Sequence, residues 1–151
     1  MLDRFERFSF SIAEISKCWH KLSADEMERH GLRSTHAIYL LTMAKQPDGL
    51  TAPQLCELCG RDKSDVSRMM RFMEKQGLVT KESAHQRRYK GVFRLTEEGI
   101  AAAEQVKQRA ALAVEIAGKN LTEENRAIFY AALTSIADNL RQLCKEGLPE
   151  E

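Results

Sequence analysis

Between Lys63 and Lys75 the chain places Ser64, Ser67, Arg68 and Arg71 at steps of three and four, the spacing that brings side chains to one side of a helix. Small hydroxyl side chains let a backbone come close to a partner. A guanidinium presents parallel N–H groups that can engage two acceptors at once. Further on, Arg87, Arg88 and Lys90 crowd into the stretch Ser83–Gly91, where His85 adds a fourth basic side chain. These groups suit the grip of an acceptor-rich polyanion rather than the breaking of bonds. Their concentration supports this: from Arg61 to Arg94 ten Lys or Arg stand against four Asp or Glu, a local +6 in a chain of net charge +1. The rest of the molecule is therefore −5. A nearly neutral protein that collects its positive charge in one segment has built a polyanion-facing surface.

The elements around this segment are readable. Pro53–Cys59 forms a short helix, Gly60-Arg61-Asp62 a tight turn, and Lys63–Gln76 a second helix whose N-cap is Asp62. On that helix Val66, Met69, Met70 and Met73 make the buried face, and the serines and arginines lie opposite. Leu78–Glu82 and Val92–Leu95 are strands of a hairpin bridged by Ser83–Gly91. Two helices joined by a tight turn and followed by a basic hairpin form a device that reads double-stranded DNA. The second helix enters the major groove, with Lys63, Ser64, Ser67 and Arg68 as readers and Arg71 next. Arg87 and Arg88 reach for the minor groove and Lys90 for phosphates.

Both ends of the chain carry surplus apolar surface. Phe5, Phe8, Ile12, Ile15, Trp19 and Leu22 recur at steps of three and four, and Arg29-His30-Gly31-Leu32 closes that helix with Gly31 as its left-handed cap. The stripe either packs on its own domain or seals a contact between two copies of the chain. Ser34 or Thr35 caps the next helix, whose apolar residues are Ile38, Leu41 and Leu40 and which stops at Gln46-Pro47-Asp48-Gly49. Thr96 caps a helix running to about Gly118, and Thr122 caps a last one edged by Phe129, Ala132, Leu133, Ile136, Leu140 and Leu143. The fold class is thus mostly α with a small β-hairpin wing. Residues 31–99 form a winged helix-turn-helix, 1–30 and 100–146 a helical dimerisation region, and 147–151 a tail.

The stretches Leu50–Gly60, Asp62–Arg68, Glu74–Val79 and Leu95–Gly99, in this order and spacing, resemble the MarR family of bacterial transcription regulators. The resemblance implies a homodimer whose terminal helices interlock, including Phe5, Phe8, Ile12, Ile15, Trp19, Phe129, Ile136 and Leu140. It also implies a palindromic operator, repression, and release by a small ligand or an oxidant. One departure stands out. The position two before the wing arginine Arg87, commonly acidic in the family, is His85 here.

Cys18, beside Lys17 and His20, is the candidate redox residue. Arg33, His36 and Tyr39 mark a candidate effector pocket at a helix junction, where capping and surface roles explain them equally well. Cys56 and Cys59 form Cys-x-x-Cys on a helix flanked by Leu55 and Leu58, which reads as core packing. No second Cys or His pair stands at zinc spacing, so neither a metal nor a cofactor is expected. No phosphate-binding glycine loop, nucleophile elbow or His-Glu-x-x-His pair supports an enzyme. Charges in Met1–Arg7 argue against export, and no apolar run is long enough for a membrane span, so the expected compartment is the cytoplasm. Two rival readings remain at this stage: a winged helix used for protein contact, and an architectural DNA-binding protein without sequence choice.

Overall fold

A computed structural model describes residues 3–82 and 91–150. Its elements run α1 (Arg4–Glu28), a 3-10 turn (Ser34–His36), α2 (Ala37–Ala44), β1 (Leu50–Thr51), α3 (Ala52–Cys59), α4 (Lys63–Lys75), β2 (Val79–Glu82), β3 (Val92–Leu95), α5 (Glu97–Ala117) and α6 (Glu123–Glu146). The chain divides into two compact units, Met1–Ala111 and Leu112–Glu151.

In the first unit each helix boundary has a local cause. The Thr51 hydroxyl accepts from the Gln54 backbone N–H while the Gln54 side chain accepts from Thr51 N, a reciprocal cap for α3 that Pro53 in the first turn reinforces. Gly60, at φ 62°, ends α3 in the left-handed conformation, and the Arg61 N–H reaches back to the Cys56 carbonyl. Asp62 then caps α4 by accepting from the Asp65 N–H at 2.8 Å. The hairpin pairs Val79 with Leu95 and Lys81 with Phe93, and β1 adds to its free side by pairing Leu50 with Phe93, giving the antiparallel order β1-β3-β2. Thr96 closes the unit: its hydroxyl donates to the Gly77 carbonyl at 2.6 Å and its N–H to the Leu78 carbonyl at 3.0 Å.

The core lies beneath α3 and α4. Met27, Tyr39, Leu40, Leu55, Val66, Met70 and Met73 are fully buried, joined by Met43, Leu50, Cys59, Leu78, Val79 and Phe93, with Ala102, Ala103 and Val106 from α5. Burial of each large aliphatic side chain stabilises by about 1.5–3 kcal/mol. Four of the chain's six methionines sit in this core, two of them on the inward side of α4.

One sequence expectation changes here, on α2. The apolar side of α2 is Tyr39, Leu40 and Met43, while Ile38 is exposed and Leu41 only half-buried. A 3-10 turn, Ser34–His36, leads into the helix. Neither Ser34 nor Thr35 caps it; the His36 ring nitrogen Nδ1 accepts from Arg33 N at 2.7 Å instead. On α3, Leu58 is exposed while Cys59 is buried and Cys56 half-buried, so the helix packs through Leu55 and Cys59. The apolar stripe of α1 is not part of its own unit's core. Met27 is the helix's sole buried residue, and Phe5, Phe8, Ile12, Ile15, Trp19 and Leu22 are all exposed.

The second unit is built around α6. Its N-cap is Thr122, whose hydroxyl accepts from the Asn125 N–H, and Arg126 fastens the preceding turn by donating to Glu115 and to the Gly118 carbonyl. No residue of α6 is buried, and Phe129, Leu133, Ile136, Leu140 and Leu143 stand exposed along it.

Candidate nucleic-acid interface

Lys63, Ser64, Ser67, Arg68, Arg71 and Lys75 are exposed and, with Phe72, line a groove along α4. The periodicity of the helix produces this arrangement. With Val66, Met70 and Met73 buried, the residues between them must face outward. Asp65 is the acidic residue of this first turn, where its charge complements the helix dipole.

Arg68 is exposed but not free. Its guanidinium Nη2 donates to Asp65 Oδ1 at 2.8 Å, and the other carboxylate oxygen, Oδ2, accepts the hydroxyl of Tyr39 from the buried side of α2. The Tyr39 hydroxyl, first, and the Arg68 guanidinium, second, hold the Asp65 carboxyl below the usual carboxylate range. Burial and the Asp65 carboxylate push the Tyr39 phenol well above its ordinary range, so it stays protonated and remains a donor. A second contact joins the same elements: the His36 ring stacks on Phe72 of α4 with centroids 4.8 Å apart and planes 2° from parallel. Burial, and then the neighbouring Arg33 charge, lower the His36 pKa. The bond it accepts from Arg33 N is one that only the neutral ring can accept.

At the base of the hairpin, Arg94 donates from Nε to the Asp48 carbonyl at 3.0 Å and from Nη1 to Glu82 at 3.4 Å. Arg94 thereby ties the turn before β1 to the hairpin, while the Lys81 ammonium sits 5.4 Å from the Phe93 ring centroid. Gly49 belongs to this junction because an added Cβ would lie 2.4 Å from Val92 Cγ1 and 2.8 Å from the Phe93 carbonyl oxygen.

The remaining candidates are distributed as follows. Arg87, Arg88 and Lys90, with His85, lie outside the described residues. Arg33 is exposed, while His36 and Tyr39 are buried and meet α4 at Phe72 and Asp65. Neither the α4 groove nor a polar crevice among Glu26, Arg29, His30 and Arg109 includes them. Cys18 is exposed on α1, and Cys144 on α6. Among the described residues no cluster of His, Cys, Asp or Glu could hold a metal ion, and no helix is long and apolar enough to cross a membrane. Sequence reasoning missed the part played by Tyr39 and Phe72. The spacing of three between Asp65 and Arg68 was the available signal for an ion pair, but nothing local pointed to a tyrosine 26 positions upstream.

A helix pair joined by a left-handed turn, a basic outward face on the second helix and a three-stranded antiparallel sheet define a winged helix-turn-helix protein. Residues 30–88 match the MarR family. Over that core, about two fifths of its length, the chain is similar to the MarR family. Several solved structures share the fold. One is a MarR family transcriptional regulator of Listeria monocytogenes complexed with a 26mer DNA, with TM-score 0.74, 21% identity, and coverage of 100% of this chain and 99% of that one. Another is a MarR family transcription regulator with TM-score 0.85 at 15% identity, covering 96% and 95% of the two chains. A third is the Staphylococcus aureus MepR–DNA complex, with TM-score 0.75, 21% identity, and coverage of 87% and 97%. At these identities the likeness establishes the fold. No match emerges from comparison with curated proteins.

Proposed function

We propose that this protein is a transcriptional regulator, a sequence-specific DNA-binding repressor that acts as a homodimer on a palindromic operator. The observation that carries the reading is the outward face of α4, where Lys63, Ser64, Ser67, Arg68, Arg71 and Lys75 stand exposed over a buried apolar floor. Arg68 and Arg71 offer guanidinium groups for guanine edges, and the serines offer close approach. The wing arginines Arg87 and Arg88 supply minor-groove contact and Lys90 a phosphate contact. Regulators of the same fold have been solved in complex with DNA, which supports this use of the face.

The dimer rests on the exposed apolar faces of α1 and α6. Large aromatic and aliphatic side chains in such rows, exposed among the described residues, call for a partner surface, and a second copy supplies one of matching chemistry. Release by a small ligand or an oxidant completes the proposal; Cys18, exposed on α1, is the oxidant arm.

Selection of a duplex from a random pool, followed by salt titration on the selected and on a random duplex, tests the reading. The expected result is a steep fall in affinity with salt for both, and binding of the selected duplex at least ~10³-fold tighter. Equal affinity for both would make the protein an architectural one. No affinity for any nucleic acid at low salt would leave the face to a protein partner.

A further inference from the structure

We propose that Tyr39, a core residue of α2 that cannot reach a base, is a positioning residue for sequence choice: it sets the Asp65 carboxylate that holds the Arg68 guanidinium ready to read. The inference rests on the reading of α4 as the DNA-facing helix and extends it to a residue behind that helix.

A free arginine on a helix surface samples many rotamers, and ordering it on a base edge opposes binding. Here that ordering is largely made in advance. Asp65 divides its two oxygens between an outward partner and an inward one: Oδ1 takes Arg68 Nη2 at 2.8 Å, and Oδ2 takes the phenol of Tyr39. The Tyr39 ring is 1% exposed and wedged in the core, so its hydroxyl is a fixed point. The carboxylate is therefore fixed at one end and the guanidinium at the other, although the Arg68 side chain is 68% exposed. A single guanidinium N–H is used in this way. The others remain for the parallel pair of bonds that picks guanine, a geometry lysine cannot offer. The Asp65 charge has a second effect. It lies against Arg68 in the free protein, so it reduces the arginine's pull toward any phosphate while leaving its shape for a matching base.

This division of labour separates Tyr39 from a residue that merely holds the fold. Loss of the hydroxyl should lower discrimination, not general affinity, and only while Arg68 is present. The test is a double-mutant cycle of wild type, Tyr39→Phe, Arg68→Ala and the double variant. Each is measured on the selected duplex, on that duplex with single base-pair changes across each half-site, and on a random duplex. Tyr39→Phe should lose about 3- to 10-fold of the preference at the base step that Arg68→Ala relaxes, with random-duplex affinity and salt slope unchanged. In the Arg68→Ala background it should add nothing. Additive losses, or an unchanged preference in Tyr39→Phe, overturn the proposal. Asp65→Asn, which keeps the backbone bond to Asp62, must lose the same preference while random-duplex affinity rises, since a negative charge beside Arg68 is gone, and it carries the test if Tyr39→Phe does not fold. A readout without DNA keeps this result apart from the functional reading: guanidinium rotation of Arg68, followed by NMR on the free protein, should be slow in wild type and fast in Tyr39→Phe. Slow rotation in both overturns the positioning role whether or not any duplex is selected.

Discussion

Gly99 in the first turn of α5 is where a single methyl group should do most harm. A Cβ built there would lie 2.1 Å from the Leu78 carbonyl oxygen and 3.1 Å from its carbon, both backbone atoms at the entry to β2. A carbon normally keeps about 3.3 Å or more from such an oxygen, so α5 and the strand entry must part by roughly an ångström. That displacement strains the Thr96 N–H to Leu78 bond of 3.0 Å and the Thr96 hydroxyl bond to Gly77 of 2.6 Å. Loss of the two contributes about 1–3 kcal/mol together, and the overpacking itself about 1–3 kcal/mol. Against this stands the gain of alanine over glycine in a helix, close to 1 kcal/mol. Gly99→Ala should therefore destabilise by about 3 kcal/mol, the middle of a range of about 1–5 kcal/mol. Urea unfolding at one fixed protein concentration reads this as a midpoint lowered by roughly 1–2 M at unchanged slope. Gly77→Ala is the internal comparison. Gly77 has φ 74° but nothing within 4 Å of an added Cβ, so its penalty is the conformational one, about 1–2 kcal/mol. If Gly99→Ala proved no worse than Gly77→Ala, the close approach of α5 to the hairpin would not be what the geometry says.

Ile15→Asp alters an exposed position on α1, so far-ultraviolet circular dichroism should be unchanged while sedimentation shows a monomer that binds the selected duplex poorly; a persistent dimer would remove α1 from the seam. His36 gives stability a pH dependence of known sign. Its folded pKa lies below the ordinary 6.5, so its neutral form contributes fully above that value, and the contribution is lost as pH falls from 6.5 toward the folded pKa. His36→Asn, whose side-chain oxygen can still accept from Arg33 N, should abolish that part of the slope between neutral and acid unfolding curves. Identical slopes in the two proteins would show that the ring does not titrate in this window.

The fold was legible wherever periodicity ran long enough to count. The alternation on α4 placed Val66, Met70 and Met73 inside and both serines outside because thirteen residues give nearly four turns of signal. Caps at Asp62, Thr96 and Thr122 were legible for a similar reason, since a short oxygen-bearing side chain before a helix has few other uses. The two-residue strand β1 carries no pattern of its own and exists only because β3 offers it a free side. In α2, eight residues rich in apolar types leave the buried side ambiguous, and Tyr39 and Leu40 are the ones the tertiary packing takes in. The basic face of the site followed from spacing alone. The support beneath Arg68 did not, because Tyr39 and Asp65 meet through tertiary packing.

The methionine floor beneath α4 has a mechanical meaning. Met70 and Met73 point down from the helix into a core that also holds Met27 and Met43. Thioether chains are unbranched and turn about several bonds, so small tilts can be taken up by rotation without opening voids, as a layer of valine and isoleucine would. If α4 is the DNA-facing helix proposed above, this floor would let it adjust to an uneven surface by side-chain rotation rather than by backbone rearrangement.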